Sequence, residues 1–140
     1  MSEQDEGSEL QDVIAYGVKD SALIDIVRMA NIGAGLGITL VVEGQVIFGD
    51  LISGKNYFEI LSQKMLSASG SPELAKVISN EFAHFGDEHY GVDAGDMPLN
   101  YLHIKNYAFL KGDGYPVNYP DNVMRIAIEK VSGYAIGRPN

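Results

Sequence analysis

The sequence predicts an α+β fold, with helices and antiparallel strands arranged in runs around one sheet. Leu36 to Ile52 gives the first indication. Leu36, Ile38, Leu40 and Val42 alternate with Gly37, Thr39, Val41 and Glu43, the period of a strand with one buried face. The second is a set of helical patterns with start signals, among them Ser71-Pro72-Glu73 ahead of Leu74, Val77 and Ile78. The third is connection length: strands within each run are joined by short turns, so neighbours pair antiparallel. The predicted order is helix, two strands, two helices, three strands. This is an antiparallel five-stranded sheet with an N-terminal helix and a two-helix insertion after the first hairpin.

Met1 to Asp12 carries Glu3, Asp5, Glu6, Glu9 and Asp12 with no basic residue. Such a segment buries too little apolar area to offset its ordering entropy. Residues 1–19 are therefore expected to form an acidic, largely disordered segment, and residues 20–140 a single α+β domain. Asp20 or Ser21 caps a helix running to about Asn31, with Leu23, Ile24, Val27 and Ala30 on one face and Gly33 as the left-handed residue behind it. Glu43-Gly44 fits a two-residue turn that opposes Val42 to Gln45, Leu40 to Ile47 and Ile38 to Gly49. This register gathers Leu36, Ile38, Leu40, Val42, Ile47 and Leu51 on one face. The missing side chain at Gly49 predicts a bend or bulge. Val46 and Phe48 add apolar surface to the other face, which then needs a cover of its own.

Ser53-Gly54 leads into a helix over Lys55 to Ser69, with Tyr57, Phe58, Leu61, Met65 and Leu66 as its stripe and Gly70 at its end. In the third helix Leu74, Val77, Ile78, Phe82 and Phe85 are expected inward, and Gly86 to Pro98 reads as an acidic loop. Leu99 to Leu110 has strand character. Leu102, Ile104, Ala108 and Leu110 share one parity, while Tyr101, His103, Lys105 and Tyr107 share the other, assigned outward. Lys111 to Pro116 and Tyr119 to Asn122 carry loop signals. Val123 to Val131 alternates with Met124, Ile126 and Ile128 inward; Ser132-Gly133 offers a turn, and Tyr134 to Ile136 closes as a short strand.

Composition excludes several function classes. The 140 residues have a net charge of −9, which opposes non-specific binding to nucleic acid or an anionic membrane. No cysteine is present, so disulfides, thiol catalysis and thiolate metal sites are excluded. The longest charge-free run, Met29 to Val42, is shorter than the ~18 residues of a spanning helix and rich in glycine. The acidic N-terminus lacks the pattern of a secretory signal, so a soluble, cytoplasmic protein is expected.

Candidate chemistry is sparse. Gly33 to Gly37 follows a helix and opens a strand, the reverse of a dinucleotide-binding loop. Glu81, His84 and Glu88 fall at i, i+3 and i+7, so a continuing helix brings them to one face as weak candidate metal ligands. Glu81-x-x-His84 is half of a di-metal carboxylate motif, but the second half is missing and Gly86 is expected to end the helix first. A solvated acidic helix end is the plainer reading. His103, mid-strand, has no locatable nucleophile or carboxylate partner for general-base work. No catalytic residue and no cofactor site emerges.

Two resemblances add to this. Gly37 to Gly49, GITLVVEGQVIFG, is similar to the apolar hairpin of the gas-vesicle accessory protein U family. Ile52-Ser53-Gly54-Lys55-Asn56-Tyr57-Phe58 resembles that family's "IS-x-x-x-YF" lead into a helix. Tyr101 to Asn106 resembles its "hydrophobic-H-hydrophobic-K-N" strand, and Val131 to Gly137 its closing segment. The match spans about 100 residues in order and in similar spacing. It implies a non-catalytic protein acting with gas vesicles, the gas-filled, protein-walled buoyancy compartments, in their assembly or association, with gas-vesicle proteins as partners. The second resemblance is architectural, to the Sm-like small β-barrel: an N-terminal helix, a bent hairpin, a strand at Leu99 to Asn106 and a final strand pair. Where an Sm protein has an Ile-Arg-Gly turn that grips RNA, this chain has Ile128-Glu129-Lys130. The resemblance therefore carries the fold and not the RNA binding. An Sm-like RNA-binding module and a metal-dependent hydrolase using His84 stand as the alternative functions. The apolar terminal strand further suggests a homo-oligomer formed through Met124, Ile126, Ile128, Tyr134 and Ile136.

Overall fold

The computed structural model describes residues 20–68, 70–92 and 96–139. The expectation for residues 1–19 lies outside these. Helix α1 (Ser21–Asn31) is followed by β1 (Leu36–Val42), β2 (Gln45–Ile52), α2 (Gly54–Met65), α3 (Pro72–Tyr90), β3 (Tyr101–Leu110), β4 (Pro116–Ala127), a 3₁₀ turn (Ile128–Lys130) and β5 (Val131–Ile136). The five strands form one open antiparallel sheet in the order β4-β3-β2-β1-β5, the α+β architecture expected.

Each helix starts on a side-chain cap. Asp20, Ser53 and Ser71 accept hydrogen bonds from the backbone N–H groups of Leu23, Asn56 and Leu74, filling orphan donors of each first turn. The β1–β2 hairpin has the predicted register, with Leu40 opposite Ile47 and Ile38 opposite Gly49. Its turn residues Glu43 and Gly44 both have positive φ, 50° and 82°, the signature of the primed turn that matches strand twist. Pairing between β2 and β3 shifts between Phe48 and Asp50, so the irregularity predicted at Gly49 is present.

One face of the sheet packs on α1. Leu23, Val27 and Ala30 meet Ile38, Leu40, Ile47, Leu51, Leu102, Ile104, Ile126 and Ile128 in a single aliphatic core. Full burial of each large side chain stabilises by roughly 1.5–3 kcal/mol, so this face dominates the fold energetically. The opposite face, carrying Ile52 and His103, is covered by the α2–α3 hairpin through the rings of Tyr57, Phe58 and Tyr90.

The structure corrects several sequence expectations. Helix α2 ends at Met65, not Ser69, with Leu66 as its cap. Helix α3 passes through Gly86 and reaches Tyr90, because Gly86 is required for helix contact and not for a stop: a Cβ there would lie 2.7 Å from the Cβ of Phe58. The buried face of α3 is Ala75, Ser79, Gly86 and Tyr90, while Leu74, Val77 and Phe85, expected inward, are exposed. Small residues let α3 approach α2 closely, and this leaves Leu74 and Val77 in water, while Phe85, though 39% exposed, keeps its ring 4.7 Å from that of Phe58.

Strand β3 begins at Tyr101, and its assigned parity fails at both ends. His103 is buried, because the helical hairpin covers the face read as outward. Beyond the irregularity at Asn106, whose φ is 50°, the parity inverts. Tyr107 and Phe109 join the α1 side, and Ala108 sits beside Phe48 on the other. Tyr119 to Asn122, read as loop, belongs to β4; Asp121, with φ of 61°, sits in the bulge opposite Asn106 and donates its N–H to the Asn106 side chain. The turn expected at Ser132-Gly133 lies instead at Ile128–Lys130, and β5 starts at Val131.

Candidate functional site

The continuation of α3 to Tyr90 does place Glu81, His84 and Glu88 on one exposed helix face. His84 Nε2 lies 3.6 Å from Glu88 Oε2, and both side chains are mostly in water. Among the described residues no three His, Asp or Glu side chains gather in a metal-binding arrangement. His89 lies against Phe85, with ring centroids 4.3 Å apart and the planes tilted by 48°. A solvated pair of this kind is worth little energetically and offers no held geometry for a metal or a substrate.

His103 is the group that sequence reasoning misplaced most. It is 1% exposed and enclosed by Tyr57, Tyr90 and Phe58, at centroid distances of 4.7, 5.5 and 6.2 Å. Across the β3–β4 ladder its partner is Arg125, whose guanidinium lies 4.1 Å over the Tyr101 ring and 5.3 Å over Phe58. Burial, reinforced by the Arg125 charge, pulls the His103 pKa down from 6.5 to about 3. The imidazole is therefore neutral at pH 7. Among the described residues its Nε2 finds no hydrogen-bond partner, and neither do Tyr90 Oη and Asn31 Nδ2. Asn31 Oδ1 accepts from the Gly54 N–H at 3.0 Å, and a Cβ on Gly54 would fall inside the Tyr90 ring. Burial also raises the Tyr57 and Tyr90 hydroxyls above their usual pKa. The neutral imidazole is walled by the rings of Tyr57, Phe58 and Tyr90, and the arrangement fastens the helical hairpin to the sheet. The signal that could have found it is the pairing of Gly54 and Gly86 with Phe58 and Tyr90, close-approach residues with rings to fill the space.

The residues expected to mediate self-association are dispersed. Ile126 and Ile128 are core residues of the chain itself, 6% and 3% exposed, and Met124 is half-buried at the core margin. Tyr134 donates its hydroxyl to Asp20 at the start of α1, which holds the Asp20 carboxyl below its usual pKa and raises the tyrosine. Ile136 alone of the set is largely exposed, at 62%. The sheet ends in two different edges. β4 carries Pro116, Pro120 and the positive-φ Asp121, three devices that block strand addition. β5, with the sequence VSGYAI, has neither proline nor charge, and among the described residues its outer edge has no partner strand.

No described helix is long and apolar enough to cross a membrane. No curated protein and no solved structure matches the chain. A family model does: residues 20–139, from the cap of α1 to the tail after β5, match the family described as gas vesicle protein GvpU-like. The match covers the whole described domain, including the hairpin, the helical insertion and the closing strand, and the chain belongs to this GvpU-like family of gas vesicle proteins.

Proposed function

We propose that this chain is a non-enzymatic gas-vesicle accessory protein that acts in the cytoplasm through protein–protein contacts, in vesicle assembly or association. The family match over residues 20–139 carries the reading. The placement of the titratable groups supports it: His84 and the acids around it are solvated, and His103 is sealed among rings. The Sm-like RNA-binding reading has less support, since Glu129 stands exposed in the turn before β5 and the chain carries a net charge of −9. The test is flotation. Purified chain is mixed with isolated gas vesicles and centrifuged, so that buoyant vesicles rise with whatever they bind. Recovery of the chain in the floating layer is expected, and its retention in the liquid below, at all concentrations tried, overturns the reading.

Self-association through the 124–137 segment is part of the same proposal, with the β5 edge and Ile136 as the contact and Ile126 and Ile128 supporting the strand from within. Light scattering on the purified chain is expected to show a species larger than 15 kDa that Ile136→Lys reduces to monomer. A native monomer at micromolar concentration sinks it.

A further inference from the structure

Beyond the helical hairpin, the second face of the sheet holds a half-open pocket of about 410 Å³ that the packing of α2 and α3 leaves uncovered. Phe48 and Val46 of β2 form its floor; Leu110 and Pro116, flanking the β3–β4 turn, and Pro139 behind β5 form its walls. This volume lies in the range of small-molecule sites, which are mostly apolar with a few polar groups fixing orientation.

The polar groups here are few and of one character. Among the described residues that line the pocket Arg138 alone is charged, joined by the Asn118 amide and the Thr39 hydroxyl. The Thr39 hydroxyl is committed to the Gly137 carbonyl at 2.9 Å. Arg138 is held in place: its guanidinium lies 5.9 Å over the Phe48 ring, and Nη1 donates to the Asn106 carbonyl at 2.6 Å. Among the described residues it is ion-paired with Asp50, whose Oδ1 lies 3.5 Å from Nη1, longer than a short charge-assisted hydrogen bond. A mostly buried, positioned guanidinium, its ion pair to Asp50 long, sits at the rim of an apolar floor, in a chain whose overall charge is −9.

We propose that this pocket binds a small aliphatic carboxylate, its chain lying over Phe48 and Val46 and its carboxylate on Arg138. A neutral or cationic ligand of the same shape gains the apolar contacts but not the guanidinium. The site is independent of the gas-vesicle reading and of the β5 edge, and each can fail without the other.

The test is titration of the isotopically labelled full chain with octanoate, 1-octanol and octylammonium, followed by NMR chemical shifts. Octanoate is expected to bind, with shifts centred on Val46, Leu110 and Asn118, and to bind about tenfold tighter than octanol, as loss of a hydrogen bond to a charged group implies. Arg138→Gln is expected to bring octanoate down to the octanol level. Asp50→Asn, which frees the guanidinium of its competing carboxylate, is expected to tighten octanoate and leave octanol unchanged; this second variant keeps the test open if Arg138→Gln fails to fold. Equal affinity for octanoate and octanol, tighter binding of octylammonium, or no shifts at these residues with millimolar octanoate each overturns the proposal.

Discussion

The two faces of the sheet are covered by different chemistry. On the α1 side, Leu23 and Val27 meet Ile38, Leu40, Leu51, Leu102 and Ile104, and no buried side-chain polar atom belongs to this cluster. On the α2–α3 side, rings and small residues do the packing: Phe58 stacks with Tyr90 and both meet His103 edge-on where Gly54 and Gly86 leave room, and Ser62 hydrogen-bonds the Ser79 carbonyl at 2.8 Å. The unpartnered polar atoms of Asn31, Tyr90 and His103 gather where this hairpin meets the rest of the chain. Each such atom costs about 1–3 kcal/mol of the burial gain. The first face is thus a source of stability. The second is a positioned attachment, held by shape, and is expected to open before the sheet does.

The largest expected effect lies on the first face. Leu40→Ala should cost ~2–5 kcal/mol in chemical denaturation, because a fully buried leucine leaves a cavity between α1 and the hairpin. Thr39→Ala, one residue away and half-buried, loses a hydrogen bond to Gly137 and should cost about 1 kcal/mol. Equal costs at the two positions would mean that the faces do not differ as described. On the second face, Gly54→Ala forces a methyl into the Tyr90 ring and should cost about 1–3 kcal/mol. Its signature is local: faster hydrogen exchange across α2 and α3, with protection in β1 and β2 unchanged. Uniformly faster exchange would show instead that the helical hairpin and the sheet open as one unit.

The same contrast explains how much the sequence disclosed. The hairpin register, the side of every residue from Leu36 to Val42 and the caps of α1 and α3 follow from alternation and from Asp20 and Ser71, signals that depend on neighbours in the chain. The faces of α3 and β3 do not. Leu74, Val77 and Phe85 make a better apolar stripe than Ala75, Ser79 and Gly86, yet the smaller set is buried, because closeness to α2 decides the contact and hydrophobicity does not. In β3 a single positive-φ residue, Asn106, reverses the parity of everything after it, and nothing in the pattern YLHIKNYAFL marks that reversal. As for function, the ordered resemblance across the hairpin, the Ile52 to Phe58 lead-in and the closing strand reached the family; composition and spacing by themselves reached only a soluble α+β domain.

Smaller than the loss at Leu40 is a pH dependence confined to the second face. The folded chain holds His103 neutral down to about pH 3, whereas the unfolded chain protonates it near 6.5. Between those values the unfolded state binds one more proton, so stability contributed by the neutral imidazole is complete above 6.5 and lost as pH falls toward 3. One proton gives a slope of at most about 1.4 kcal/mol per pH unit, and lowering pH from 7 to 5 should cost about 1–2 kcal/mol. The upper part of this window, from pH 7 to 5, lies above the ordinary carboxylate pKa of ~4, which separates the imidazole from the carboxylates there. His103→Phe keeps a ring among Tyr57, Phe58 and Tyr90 and removes the unpartnered nitrogen, so it should flatten the slope at little cost at pH 7. Denaturation midpoints of the two proteins at pH 7, 6 and 5 decide the matter. Parallel curves would place the proton-sensitive group elsewhere and leave His103 as open to water as the sequence pattern first implied.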